Sequence, residues 1–195
     1  TAFTWLNYAR TGKMTPSLAA TVTLGNLAAV YNGRAHAATA TTVPPRLAVT
    51  FTYTGSATPP VLVGSYPVIA TVNNPNYTGS ANGTLVISPV LPLAATTGAT
   101  LIGGTTATLN GVANGKGAVT TVSFQYYANG TVGGYASASQ TATQNLAAGT
   151  ANAAFARALG GLASSTLYHY RAVATNAAGT VFGLDKTFTT LAQPI

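Results

Sequence analysis

Cysteine is absent from this chain of 195 residues, which removes both a disulfide framework and any thiolate metal site. Carboxylates are almost as scarce: there is no glutamate, and Asp185 is the sole acid. Paired-carboxylate hydrolysis is therefore excluded, and an oxygen-rich calcium cage has too few ligands. Charged residues of either sign make up only 5% of the chain, so the Lys- and Glu-rich faces of ordinary surface helices are not available. No apolar run approaches the ~20 residues that a helix needs to span a bilayer. The chain opens at Thr1, without methionine or a signal-like apolar stretch, and is expected to be a processed or excised piece.

What remains is 47% hydrophobic residues, set among Thr, Ser, Asn and Gly. That is an inventory for strands and turns. The length exceeds the roughly 100 to 150 residues of a usual single domain, so two modest domains are expected. Eight basic residues against one acid give a formal charge of +7, a surplus that favours anionic polymers. The cations at Arg10, Lys13, Arg34, Arg46, Lys116, Arg157, Arg171 and Lys186 stand singly, with no stripe to track a phosphate backbone, so nucleic acid is not an expected partner.

From Thr21 onward, short apolar runs alternate with Gly, Pro and Asn, as in all-β sandwiches. In the first half, strands are expected at 21–24, 47–53, 64–72 and 83–87. Turns are expected at Asn32-Gly33, Pro44-Pro45, Pro59-Pro60 and Asn73-Asn74-Pro75. In the second half, strands are expected at 105–111, 120–127, 152–159, 167–176 and 184–190, with turns at Asn114-Gly115, Asn129-Gly130 and Gly160-Gly161. No helix is expected. Pro89 and Pro92 interrupt ladder pairing between the halves. The spacing thus predicts an extended N-terminal segment over 1–16, a first domain over 17–89, a linker over 90–94, a second domain over 95–191 and a tail over 192–195.

The run Gly64-Ser65-Tyr66-Pro67-Val68-Ile69-Ala70-Thr71-Val72-Asn73-Asn74-Pro75-Asn76-Tyr77-Thr78-Gly79, closing on Leu85-Val86-Ile87, resembles the bacterial Ig-like repeats called MBG domains. Val22-Thr23-Leu24 and Val30-Tyr31-Asn32-Gly33 look like that family's opening strand and Tyr-Asp-Gly turn, so the resemblance spans about residues 17 to 89. From Ala95, the stretches Ala107-Thr108-Leu109-Asn110-Gly111, Val122-Ser123-Phe124-Gln125-Tyr126 and 162–176 resemble bacterial fibronectin type III-like modules. Asn32, Asn73-Asn74 and Gln125 depart from both families in one direction, an amide standing where an acid is usual. The resemblances imply tandem Ig-like and fibronectin type III-like β-sandwiches preceded by an extended strand. Within the second, Leu162 and Tyr168 look like a tyrosine corner, whose phenol bonds back to the backbone. Alternation turns Tyr168, Tyr170, Ala172 and Ala174 inward and leaves His169 outward beside Arg171.

Candidate chemistry is thin. His169, Asp185 and a serine would compose a triad only if the fold converged them, and an outward His169 argues against it. His36 has no second ligand at metal spacing. A Lys-to-Asn cross-link from Lys13, Lys116 or Lys186 needs a buried acid, whereas Asp185 and Lys186 point to opposite strand faces. Gly103-Gly104 and Gly133-Gly134 lack the lysine and helix start of a phosphate loop. Sequons occur at Asn76, Asn82 and Asn129, all near expected turns, at a rate that chance explains in a chain rich in Thr and Asn. No cofactor is expected, and no catalytic or metal residue is assigned.

The leading expectation is a non-catalytic, extracellular or cell-surface structural protein, one segment of a bacterial fibre or filament. Its partners would be further copies of itself or neighbouring domains of the same polymer. The assembly contact is assigned to Phe3, Trp5, Leu6 and Tyr8, an extended apolar segment of the kind that adds a strand to an open sheet edge. The alternative is an adhesin or accessory module that recognises polysaccharide or a host protein, with outward tyrosines such as Tyr127 and Tyr135 as contacts, or a spacer from a larger secreted enzyme.

Overall fold

The computed structural model describes residues 17–193. They form two compact units: the chain up to Val30 with Arg34–Ser88, and Tyr31–Gly33 with the chain from Pro89 onward. Both are built of strands, in keeping with the all-β expectation; a four-residue 3-10 turn at Gly134–Ser137 is the one helical element among the described residues. It was not expected, because Gly133 and Gly134 punctuate the sequence like an open loop; both take a positive φ where the chain enters the turn, a conformation that glycine adopts without a Cβ clash.

The first unit contains β1 (Leu18–Ala19), β2 (Thr21–Gly25), β3 (Ala28–Val30), β4 (Thr39–Val43), β5 (Val49–Tyr53), β6 (Gly64–Val72), β7 (Tyr77–Thr78) and β8 (Ser80–Ser88). Its main sheet has the order β3-β8-β6-β5, antiparallel except for the parallel β3–β8 pair. The antiparallel β2–β4 ribbon lies over it, with β2 packed across β8 and β6, while β1 and β7 pair in parallel. Alternation in β6 buries Val68, Ala70 and Val72 and exposes Pro67, Ile69 and Thr71. Opposite Val68 stands Gly83, where a Cβ would lie 2.9 Å from Leu24 Cδ1. Its missing side chain is the space into which β2 lowers Leu24. Leu85, Ile87 and Tyr53 complete the core, and the Tyr53 phenol oxygen accepts the Ala38 N–H at 2.9 Å.

The second unit contains β9 (Leu93–Thr100), β10 (Ala107–Asn114), β11 (Thr120–Ala128), β12 (Ser139–Gln140), β13 (Gln144–Leu146), β14 (Ala153–Leu159), β15 (Leu167–Asn176), β16 (Gly179–Phe182) and β17 (Lys186–Thr189). One sheet runs β14-β10-β9. The other runs β12-β11-β15-β16, with β13 also on β11 and β17 also on β15, and all pairs are antiparallel. Between the sheets lie Leu109, Val122, Phe124, Phe155, Tyr168, Tyr170 and Phe188. The Phe124 and Phe155 rings stack at 4.8 Å, and Tyr168 stacks on Phe188 at 5.4 Å. Full burial of each such ring contributes about 1.5–3 kcal/mol. Gly111 faces Phe155 across the ladder, and a Cβ there would sit 2.9 Å from the ring, so glycine lets the phenylalanine lie flat on β10.

Several strands differ from the sequence reading. β3, β4 and β9 were not expected, because Ala28–Val30, Thr39–Val43 and Leu93–Thr100 are built of small and hydroxyl residues with little hydrophobic alternation. β9 begins at Leu93, inside the 90–94 segment. Asn114 and Asn82, both placed at turns by the sequence, belong to strands. Asn114 ends β10 with its amide buried, its Oδ1 accepting the Lys116 N–H at 2.8 Å to start the turn, and Asn82 lies within β8 with its side chain exposed.

Candidate functional site

The richest cluster of polar and aromatic groups lies on the outer face of the β11–β15 ladder. Period-two alternation turns Gln125, Tyr127, His169 and Arg171 away from the core, and the register sets Gln125 opposite Arg171 and Tyr127 opposite His169. Phe182 joins that face from β16, opposite Val173. The link from β16 to β17 then carries Asp185 over His169, and the 3-10 turn supplies Tyr135.

These residues interlock. Asp185 Oδ2 lies 3.0 Å from His169 Nδ1, and the Tyr135 hydroxyl donates to Asp185 Oδ1 at 2.5 Å. Tyr127 stacks on the His169 ring at 5.0 Å and meets Tyr135 edge-on at 4.9 Å. The Arg171 guanidinium is held between two rings, 3.9 Å from the centroids of both Tyr135 and Phe182, and its Nε–H donates to Gln125 Oε1 at 2.9 Å. Partial burial, reinforced by the Asp185 carboxylate, pushes the Tyr135 phenol far above its ordinary pKa. Burial also pushes Asp185 upward, but the Tyr135 hydroxyl, His169 and Arg171 outweigh it and hold the carboxyl below the usual range. The only acid of the chain is thus kept ionised and fully engaged.

Chemically, the arrangement positions rather than reacts. The fold does bring His169 and Asp185 together, yet the third partner is the Tyr135 phenol on the carboxylate, not a serine on the imidazole. Among the described residues no group of three or more His, Cys, Asp and Glu is placed to hold a metal ion. His36 belongs to the first unit, where its backbone N–H donates to Pro60 O at 2.9 Å. Lys116 sits in the turn after β10 and Lys186 opens β17 with its side chain exposed. Asn76 and Asn129 are exposed in turns. Leu162 and Tyr168 are both buried, and the Tyr168 oxygen accepts the Ala163 N–H at 2.9 Å. Phe3, Trp5, Leu6, Tyr8 and Lys13 lie outside the described residues.

A second feature is the edge strand β14. It ends the three-stranded sheet, and among the described residues its backbone bonds only to β10. Its core side carries Phe155 and its outer side carries Ala154, Ala156 and Ala158, all exposed. Protein edges are ordinarily blunted by proline, a bulge or an outward charge. β14 has no proline, its register is unbroken, and Arg157 points to the other face, where its guanidinium donates to Ala142 O at 3.1 Å. Sequence reading missed this feature, since an edge is defined by the partner a strand lacks; its one local trace is the alanine alternation in Ala153-Ala154-Phe155-Ala156-Arg157-Ala158.

Comparison with known proteins places the MBG domain family model on residues 20–90. No curated protein matches. Among solved structures, the sensor domain of the anti-sigma factor RsgI4 from Pseudobacteroides cellulosolvens is similar at 19% identity, over 55% of this chain and 99% of that one, with a TM-score of 0.42. The FN1-FN3 domains of chicken CNTN1 are similar at 13% identity over 92% and 70% of the two chains, with a TM-score of 0.41. The third fibronectin III domain of human KIAA0343 gives 15% identity, 54% and 86% coverage, and a TM-score of 0.35.

Proposed function

We propose that this chain, in which residues 20–90 are an MBG domain and a fibronectin type III-like sandwich follows, is a non-catalytic segment of an extracellular bacterial fibre assembled through strand contacts. The observation that carries the reading is the open β14 edge. The outer edge of a seven-residue strand, bonded to β10 on its inner side only, faced by alanine and free of outward charge, is the surface that strand addition requires and that a purely monomeric domain blunts. The occupant is the N-terminal segment of a neighbouring copy, with Phe3, Trp5, Leu6 and Tyr8 as its anchors. That segment is uncharged from Thr1 to Ala9 and rich in aromatic and β-forming residues. A role without catalysis agrees with the scarcity of titratable groups, since Asp185 is spent on holding a turn in place.

Electron microscopy and light scattering of the full chain test this. Linear assemblies are expected, and Ala156→Lys, which sets a charge on the exposed face of β14, is expected to return the chain to monomers with an unchanged melting temperature. A chain that stays monomeric at high concentration, or assemblies indifferent to both Ala156→Lys and Trp5→Ala, would sink the proposal.

A further inference from the structure

A cleft of about 350 Å³ opens at one end of the second sandwich, between the end of β11, the 3-10 turn, the start of β12 and the Gly160-Gly161 link. Its volume falls in the range of small-ligand sites, roughly 300–1,000 Å³. In a chain with eight basic residues and one acid, none of those charges lines it. Hydroxyl-bearing residues do: Tyr126, Tyr127, Thr131, Ser137, Ser139 and Tyr168. Thr131 donates to Ala128 O at 2.6 Å and Tyr168 accepts the Ala163 N–H. The hydroxyls of Tyr126, Tyr127, Ser137 and Ser139 make no hydrogen bond within the described residues.

We infer that this cleft is a binding site for a neutral saccharide. A sugar ring has an apolar C–H face and a rim of hydroxyls, each both donor and acceptor; a lining of uncharged tyrosine, serine and threonine residues, four of them with unspent hydroxyls, offers the complement. A carboxylated or sulfated sugar would lose hydration here without meeting a counter-charge, so the site selects against it. The outer-face cluster acquires a task in this arrangement. Tyr127, one wall of the cleft, is clamped between His169 and Tyr135, and the Tyr135–Asp185 bond pins the turn that carries Ser137. A preorganised wall loses less entropy when the ligand arrives.

This binding function is additional to the assembly role and does not depend on it: sugar binding is read on the monomer, and failure of one leaves the other standing. The full chain, labelled with nitrogen-15, is titrated with maltohexaose, xylohexaose and cellohexaose, and with oligogalacturonate as the anionic comparator. At least one neutral oligomer is expected to shift the amides of Ser139, Gly160 and Gly161 saturably, with Kd on the order of 1 mM. Gly160→Phe is the blocking variant, because Gly160 lacks a positive φ and a Cβ there meets nothing within 4 Å. It is expected to weaken that binding about tenfold or more while leaving the rest of the spectrum in place, and Gly160→Ala is expected to bind as the parent does. The inference is overturned if no neutral oligomer shifts those amides, if Gly160→Phe binds undiminished, or if only oligogalacturonate binds.

Discussion

The two sandwiches of this chain reach the same architecture by different means. The first is held by ladder bonds and simple alternation. Its core is Val68, Ala70, Val72, Leu85 and Ile87 with Tyr53, whose hydroxyl accepts a buried bond from the Ala38 N–H. Among its described residues no Ser, Thr or Asn is buried as a whole, and the buried polar atoms Ser17 Oγ and His36 Nε2 make no hydrogen bond. The second packs five large rings, Phe124, Phe155, Tyr168, Tyr170 and Phe188, and buries Thr96, Asn114, Thr120, Ser123, Thr141 and Thr190 as well. Those polar groups act as stitches. Thr96 Oγ1 accepts the Ala172 N–H across the two sheets at 3.0 Å, Thr141 Oγ1 accepts the Phe124 N–H at 2.9 Å, and Thr190 Oγ1 donates toward Ala163 O at 2.7 Å. The contrast shows what a chain nearly devoid of charge can do for specificity. Where charged residues are this scarce, threonine hydroxyls bonded to backbone fix the loops and the sheet-to-sheet register.

The largest expected break in this comparison comes from the cores. Phe124→Ala removes a ring in contact with both Phe155 and Tyr170 and is expected to destabilise the second unit by about 3–5 kcal/mol, with Leu85→Ala costing the first unit about 2–5 kcal/mol. Calorimetry of the full chain is expected to show each substitution lowering a different transition. A single transition that moves with either change would refute independent cores.

A smaller effect is expected where the stitching is cut. Thr190→Val keeps the shape but deprives Ala163 O and the Thr166 N–H of their partner, a loss of about 1–3 kcal/mol. Thr71→Val, on the exposed face of β6, is expected to stay within about 0.5 kcal/mol. Equal losses in urea titrations would erase the distinction between stitched and unstitched units.

The smallest effect is one of acid. Asp185 has a folded pKa below its unfolded value, so its stabilisation is fully present above about pH 3.9 and fades as the pH falls through the folded value. With its side chain 45% exposed, the effect is modest. The second unit's transition is therefore expected to drop in acid and to flatten in Asp185→Asn. The first unit, which has no carboxylate side chain, is expected to hold level; a matching acid loss there would show that Asp185 is not the cause.

Legibility varied with side-chain size. β6 and β15 were read end to end, because Tyr66, Val68 and Val72, and Tyr168, Tyr170 and Ala174, mark one face unmistakably. β4 and β9 were missed because Thr-Ala-Thr-Thr-Val and Leu-Ala-Ala-Thr-Thr present nearly the same chemistry on both faces. For the candidate site, alternation did place His169 and Arg171 outward. It was silent on Tyr135, which lies 50 residues from Asp185 and arrives on an irregular turn.

The sequence by itself determined the all-β class, the division into two sandwiches and the inward faces of the bulky strands, because turn chemistry and period-two burial act over a few residues and need no knowledge of partners. Only the tertiary structure decided that Asp185 would clasp Tyr135 and His169, that β14 would end its sheet with its outer edge unpaired and that uncharged residues distant along the chain would line one cleft. Each of those depends on strand order and register, which are settled by packing between residues distant along the chain and are written in no local pattern.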